Sequence, residues 1–565
     1  MKKRIRVLVL TVLAALAVYA LWLYPREAGT PVQPLPPHYK KTILLVPLDS
    51  RPPCQQLVID TALMDNIKVI VPPPEVLDYY YAAGDTKALA KWLRENFAAA
   101  DAALLSVDQL LHGGLIASRE GKRSAADSQQ VISLLRELHQ KSPAIPIYAF
   151  NILPRITPPP SIGGYSLWDD FIELSRLTDQ LALAPDKKKQ ARLDELKKKL
   201  PAKDLAQYFA LYENNFELNK SLARLVSDGT LKMAVLGQDD GEEFGIPNMK
   251  KRQLQKYLAA ENISSDKFFI THGADELALS LLSKLSAEEH HYQPKVYIEY
   301  NSPYIRDYIM PYMAGPVEAT LKEKLGLLNA VTVSTPAEAD LTLFISCVNK
   351  EIPDTRRRSA DRLKELIAAG CTPALVDLSE HFLAEETVFP FLLSRGVPLQ
   401  ELAAYAGWNT TSNSIGTAVS QAVIFAAAKK DLKSREEALF LWQNKLTLLN
   451  NRFLEDYYYL KDIIDRVNLG LNRAGYVYVN DLDMDRNYRW ANAMLQTSLA
   501  ERAGRLRHTT AFRTPAKVTW PGGSLRLQVK KLAIDTCYPW PRTFEIYLRT
   551  TPTLEVLNIN RTATN

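Results

Sequence analysis

Short apolar runs, each stopping at a polar or acidic residue, recur along this chain and alternate with longer stretches of helical periodicity. The runs are Ile43–Pro47, Ile67–Val71, Ala103–Ser106, Ile147–Phe150, Met233–Leu236, Phe268–Thr271, Val296–Tyr300, Leu341–Ile345 and Ala374–Val376, with a further candidate within 403–413. Unbroken runs of this length between turn residues predict strands buried on both faces. Between them, Gln55–Met64, Thr86–Ala98, Ala125–His139 and Lys250–Glu261 carry helical spacing. Alternation of strand and helix implies right-handed crossovers and a mainly parallel sheet, so the predicted class is α/β. Roughly ten strands precede residue 410. Eight would close a TIM-like barrel; ten also fit a barrel with a small second sheet, or two doubly wound halves, and periodicity does not separate these.

The remaining pattern divides the chain. Residues 165–228 read as a charged helical insertion inside an α/β core spanning 41–430. Lys187–Lys199 carries two lysine clusters and is predicted to be a solvated helix face. Long helices are predicted over Ser414–Lys429 and Arg435–Val467. The second has Phe440, Trp442, Leu446, Leu449 and Phe453 at core-facing spacing. The helical segment runs over 431–510 and includes Asn487–Arg502. In the tail, 511–565, residues Ala516–Leu557 alternate apolar and polar and predict a small antiparallel β unit. At the other end, Lys2, Lys3, Arg4 and Arg6 precede the apolar run Val7–Tyr24. Such a run nearly spans a bilayer core of about 30 Å. Residues 1–24 are therefore read as an uncleaved signal anchor, with a cleaved signal peptide as the competing reading. Residues 25–40 are read as an extended, proline-rich linker. Either reading places the bulk of the chain outside the cytoplasm, at the membrane or secreted.

Composition narrows the function classes. The 565 residues are 47% hydrophobic and 23% charged, with a net charge of +6. That balance, without a basic-aromatic stripe, gives no case for nucleic acid as a partner. Four cysteines (Cys54, Cys347, Cys371 and Cys537) contain no CxxC pair, which excludes a zinc knuckle. They are read as separate thiols, with a Cys347–Cys371 pair as the alternative. Walker-type, GxGxxG and serine nucleophile-elbow sequences are absent.

Candidate chemistry sits where the strands end. Asp49, Asp108, Asn151, Asp239, His272 with Asp275, Asn301, Asp377 and Asn409 follow successive apolar runs. A parallel sheet would gather these ends on one rim, the edge where ligands bind in α/β folds. Asp and Asn also favour turns, which accounts for single members but less well for Asp239-Asp240 and Asp275-Glu276. Two neighbouring carboxylates cannot both ionise cheaply, so one can remain an acid while the other stays charged. Glycosidic cleavage asks for such a pair. In that reading Asp239 and Asp240 are catalytic, with Asp240 the acid and Asp239 orienting the substrate. Asp49, Arg51, Asp108, His112, Arg119, Asn151, Asp275, Glu276, Trp408 and Asn409 line the cleft, with Trp408 as a sugar-stacking platform. Arg51, Arg119 and Arg155 each follow a strand end and suit either substrate carboxylates or ion pairs with the aspartates. His112 lies beside Gly113-Gly114, where backbone can approach a ligand closely. Metal ligation by Asp49, Asp239, Asp240 and Asp275 is the alternative.

Several stretches in order resemble motifs of the bacterial DUF4127 family. They are Leu48-Asp49-Ser50-Arg51-Pro52, Asp108-Gln109 with His112-Gly113-Gly114-Leu115 and Ser118-Arg119, Gln238-Asp239-Asp240, Gly273-Ala274-Asp275-Glu276, Ala406-Gly407-Trp408-Asn409-Thr410, and Tyr538-Pro539-Trp540-Pro541-Arg542-Thr543-Phe544-Glu545. The resemblance spans about 41–550 and implies membership without an activity. The Asp-Asp dipeptide is also similar to the catalytic pair of barrel glycosidases acting on N-acetylhexosamines. The functional expectation is an extracytoplasmic glycoside hydrolase of a cell-envelope or extracellular glycan, needing no cofactor. A metal-dependent hydrolase holding a divalent cation, and a non-catalytic glycan- or protein-binding module, are the alternatives.

Overall fold

The computed structural model describes residues 29–347 and 354–557. A short strand, β1 (Gly29–Val32), opens the described chain and joins a sheet built mostly from the other end. The first parallel sheet follows: β2 (Lys41–Val46), β3 (Ile67–Ile70), β4 (Ala102–Ser106), β5 (Ile147–Leu153), β6 (Met233–Gln238) and β7 (Phe268–His272). Their order across the sheet is β3-β2-β4-β5-β6-β7. A second parallel sheet contains β8 (Lys295–Tyr300), β9 (Val331–Thr332), β10 (Leu341–Cys347), β11 (Pro373–Leu378) and β12 (Ala404–Ala406), ordered β12-β11-β10-β8-β9. Counted from its own first strand, each sheet has its second strand outside the first and the later strands on the other side. The same winding is thus used twice, and the predicted alternation resolves into two separate parallel sheets.

Burial on both faces explains the unbroken apolar runs. In β2, Ile43 and Leu45 enter one hydrophobic core while Leu44 and Val46 enter another on the opposite face. Alternate side chains point to opposite faces, so a strand between two cores has no polar phase. Between the sheets lie two interior helices. Leu277–Glu289 packs on β4 and β5, and Thr411–Lys430 packs on β10, β11 and β12; the two helices pack on each other. Of the twenty residues in Thr411–Lys430, 17 are buried, so this helix shows no polar stripe and its periodicity is weak.

The predicted insertion is three helices, Trp168–Leu183, Lys187–Lys199 and Ala202–Ser227, with a small core of their own around Phe171, Leu196, Tyr208 and Tyr212. The lysines of the middle helix face solvent, as expected. After Arg435–Arg452 the predicted long helix loosens into a π-helical stretch, Phe453–Ile463, before resuming as Ile464–Arg473. Helix Tyr488–Arg507 leads to the tail strands β13 (Ala516–Trp520), β14 (Gly523–Cys537) and β15 (Tyr547–Leu557), antiparallel in the order β1-β15-β14-β13. Gly29–Val32, read from sequence as linker, is therefore an edge strand, with Gly29 opposite Leu557 and Val32 opposite Leu554. The apolar run Val7–Tyr24 lies outside the described residues. Among the described residues no helix is long and apolar enough to cross a membrane. Cys54, Cys371 and Cys537 are free thiols.

Candidate active site

Beyond the C-terminal ends of β6 and β7 a polar cleft of about 290 Å³ opens. Three parts of the chain wall it. From the first sheet come Arg51, Arg119, Arg155, Asp239, Asp240, His272 and Asp275. Asn409, Thr410, Ser412 and Asn413 come from the start of the interior helix. Arg542 and Phe544 come from the turn between β14 and β15. In a flat sheet the ends of β2 and β7 would stand about 19 Å apart, four strand spacings. Extensions of a few residues past each strand, together with sheet twist, bring Asp49 and Asp275 onto a shared arginine.

The two central carboxyl groups are in opposite electrostatic states. Asp239 is buried, and Arg119 grips its Oδ2 through both Nε (3.1 Å) and Nη2. The Asp240 amide donates to Asp239 Oδ1 at 2.9 Å. Burial opposes the charge, but the Arg119 and Arg155 guanidiniums outweigh it and hold Asp239 below the usual carboxylate range. Asp240 receives no hydrogen bond at its carboxyl group among the described residues. Burial, and then the charge of Asp239 beside it, push it up to about 7. Within one dipeptide, an arginine-clamped anion adjoins a carboxyl group that is still a proton carrier near neutrality.

Beside this pair, Arg51 spans two acids. It meets Asp49 Oδ2 through Nε at 2.9 Å and Nη2 at 2.6 Å, and Nη2 also lies 2.6 Å from Asp275 Oδ1. Burial lifts Asp275 to about 6, with Arg51 pulling the other way. The turn carrying Arg51 is fixed from outside. Trp540 Nε1 donates to Ser50 Oγ at 2.9 Å, and the Trp540 ring lies 5.6 Å from the Arg51 guanidinium. His272 is 6% exposed, and its Nδ1 is 2.8 Å from Glu323 Oε2, a residue of helix Val317–Leu327. Its Nε2 is buried without a partner and faces the cleft. An imidazole held at Nδ1 by a carboxylate presents its other nitrogen in a fixed direction, the arrangement of an oriented base.

Each of the six sequence motifs contributes at least one residue to this cleft: Arg51; Leu115 and Arg119; Gln238, Asp239 and Asp240; Gly273, Ala274 and Asp275; Asn409 and Thr410; Arg542 and Phe544. A family model described as a protein of unknown function, DUF4127, matches residues 43–549. The chain belongs to the DUF4127 family. No curated protein and no solved structure matches it.

The cleft of this DUF4127 protein does not collect every residue expected from sequence. Asp108 is buried at the start of helix Val107–His112, where its Oδ2 accepts the Ile152 amide at 2.8 Å. With His112 it lines a narrow pocket behind the cleft. Burial lifts Asp108 to about 7; burial and the nearby Arg123 charge drop His112 to about 4. Gly113, at φ 78°, packs on Gly84, where an added Cβ would meet backbone oxygen at 2.6 Å, so close backbone packing explains it without a ligand. Asn151 is inside β5 and 1% exposed. Glu276 is fully enclosed and ion-paired to Lys324 at 2.7 Å. Trp408 is 3% exposed with its ring against Phe544, and so cannot present a face to a sugar. Asn409 does line the cleft, with a left-handed φ of 55°.

Sequence reading did not single out Glu323, Tyr312, Arg542 or Phe544 as site residues. Tyr312 is 58% exposed at the cleft, and its carbonyl accepts the Gly241 amide at 2.9 Å. This ring and Phe544, rather than Trp408, are the aromatic surfaces available to a ligand. Arg542 is paired to Glu545 and lies 5.0 Å from the Trp540 ring centre and 5.5 Å from that of Phe544. Arg542 and Phe544 also border a second cavity of about 480 Å³ lined by Tyr80, Phe382 and Asp481. They form the partition between the two spaces.

Proposed function

We propose that this protein is a glycoside hydrolase acting on a cell-envelope or extracellular glycan through Asp239 and Asp240. The observation that carries the reading is the split between these neighbours, one clamped as an anion by Arg119 and the other left protonated near neutral pH in the same cleft. In the mechanism Asp240 gives its proton to the leaving glycosidic oxygen as the bond to the anomeric carbon lengthens. Asp239 stays charged and accepts the N–H of a substrate acetamide, whose oxygen attacks the anomeric carbon from the opposite face. Asp240, now a carboxylate, then takes a proton from the water that opens the cyclic intermediate, in the same way that one residue serves as acid and base in other retaining enzymes. Tyr312 and Phe544 offer stacking surfaces.

A divalent cation fits this donor set poorly. The one candidate cluster among the described residues is Asp49, Cys54 and Asp275. Its centre is already spanned by the Arg51 guanidinium, 2.6 Å from both carboxylates. Burial also keeps the Cys54 thiol protonated, and a thiol binds metals as the thiolate. Anchorage by residues 1–24, outside the cytoplasm, belongs to the same proposal. A panel of aryl glycosides, including N-acetylhexosaminides, tests the reading. Hydrolysis that is insensitive to chelator, lost in Asp239→Asn and reduced in Asp240→Asn, least on members with good leaving groups, is expected. No turnover by the folded wild-type protein on any member would sink it, and glycan binding that survives both substitutions would favour a non-catalytic module.

A further inference from the structure

The cations and acids of the cleft are unevenly paired, and the unevenness is local. Arg51 is paired with Asp49 and Asp275, Arg119 with Asp239, and Arg542 with Glu545. Arg155, which follows β5 and lines the same cleft, makes no hydrogen bond or ion pair through its side chain to any described residue, and its Nε is wholly buried. The position is fixed all the same, because Tyr212 of the insertion donates to the Arg155 carbonyl at 2.9 Å. Repulsion from Arg119, and then burial, lower the Arg155 pKa, and the charges of Asp239 and Asp240, which make no ion pair with it, offset this only in part. An unpaired guanidinium in a desolvated pocket is costly unless an anion joins it.

A second, independent feature faces the same space. Helix Thr411–Lys430 starts at the cleft with no side-chain cap on its first turn. Its first-turn residues Ser412 and Asn413 line the wall; the buried Asn413 Oδ1 has no partner among the described residues and, as an acceptor, suits a sugar hydroxyl rather than the anion itself. Unpaired amide groups and the positive end of a twenty-residue helix favour negative charge. From the lone Arg155 opposite this helix start, we infer that the cleft takes a sugar bearing an anionic substituent. The substituent is a carboxylate or an ester of sulfate or phosphate, received between the Arg155 guanidinium and the Ser412–Asn413 turn. Arg155 is thereby a specificity-determining residue beside the Asp239-Asp240 pair, on which its charge also acts. The inference rests on the proposed glycan reading for the identity of the ligand, but not on turnover.

Calorimetric binding to the full chain tests it with two matched pairs, glucose against glucuronate and N-acetylglucosamine against N-acetylmuramate, and with inorganic sulfate and phosphate alone. In at least one pair the acidic sugar is expected to bind tenfold or more tightly, with the preference shrinking as salt is raised. Arg155→Gln is expected to erase the preference by weakening the acidic sugar's binding more than the neutral sugar's, and Arg155→Lys to retain part of it. The lysine variant and a melting curve on each protein guard against misfolding. Equal binding within both pairs overturns the inference. So does sulfate or phosphate alone binding as tightly as the acidic sugar, since the anion would then not be sugar-borne. The two proposals fail separately. An acid preference without hydrolysis of any glycoside removes the hydrolase and keeps the cradle; hydrolysis of neutral glycosides without any acid preference does the reverse.

Discussion

Among the described residues no hydrogen bond reaches the Asp240 carboxyl group, while that of Asp239 receives several, and their roles follow from that difference. As a general acid, Asp240 must be protonated, so activity should fall as pH rises through about 7. Asp239 must be charged, and its pKa is held below the normal carboxylate range, so the acidic limb should lie below that range. A kcat/KM profile flat between those limits is expected, and Asp240→Asn should remove the alkaline limb. The same variant should lose about 10²- to 10⁴-fold in kcat on sugars with poor leaving groups. With nitrophenyl leaving groups, which need less protonation, the loss should be much smaller. Equal losses on both substrate kinds would count against the acid role. Glu323 acts through its neighbour. Glu323→Gln keeps the shape but weakens the hold on His272 Nδ1, and should lower kcat by about tenfold or more with KM little changed, by analogy with the cost of losing a carboxylate that orients a histidine. A change confined to KM would make His272 a binding residue instead.

At the scale of the element, the interior helix Thr411–Lys430 carries the tightest constraint. A Cβ on Gly416 would lie 2.4 Å from Glu276 Cγ, and Glu276 is itself pinned by Lys324. Gly416→Ala gains about 1 kcal/mol of helix propensity, but overpacking against a fixed neighbour costs about 1–3 kcal/mol. The clash should win, lowering the melting temperature; chemical denaturation of both proteins decides it. The same elements explain what was legible beforehand. Strands sandwiched between two cores announce themselves as apolar runs, so nine of the eleven parallel strands were visible with nearly correct bounds. The two-residue β9 is too short to leave a pattern, and β12 emerged only as part of a wider segment. Division into two sheets was not readable, because periodicity reports which way a side chain faces and not which strand is its neighbour. The acidic strand ends Asp49, Asp239, Asp240 and Asp275 were found for a physical reason, since charge has no place inside a two-sided core. Trp408 misled because an aromatic beside Asn409 resembles a sugar platform, whereas its ring packs on Phe544. Tyr312 and Glu323 escaped because the first comes from an irregular loop and the second from a helix with no mark beyond its ordinary charge.

At the scale of the molecule, an unusual number of buried acids favour their neutral form. Burial raises Asp60 to about 6, and Asp108, Asp240, Asp377 and Glu455 each to about 7. A carboxyl group whose folded pKa exceeds its unfolded one stabilises the fold at low pH, and that contribution is lost as pH rises through the folded value. His112, lowered to about 4, acts in the opposite direction below pH 6.5 but is a single group. The protein should therefore melt at a higher temperature at pH 5 than at pH 7.5, the reverse of the trend when carboxylates are stabilised as ions. Calorimetric scans across that interval check the sign. The Trp540–Ser50 hydrogen bond joins positions 490 residues apart, and it makes a much later stretch of polypeptide a wall of a chamber whose floor was laid down before it. Chains grow from the N-terminus and fold in that direction, so a partly made copy has its acid and its anion but no enclosure. A stop codon shortly before residue 538 would remove the wall of the chamber together with Tyr538, Ile546, Leu548 and Leu554 of the main hydrophobic core, so enclosure and stability should be lost together.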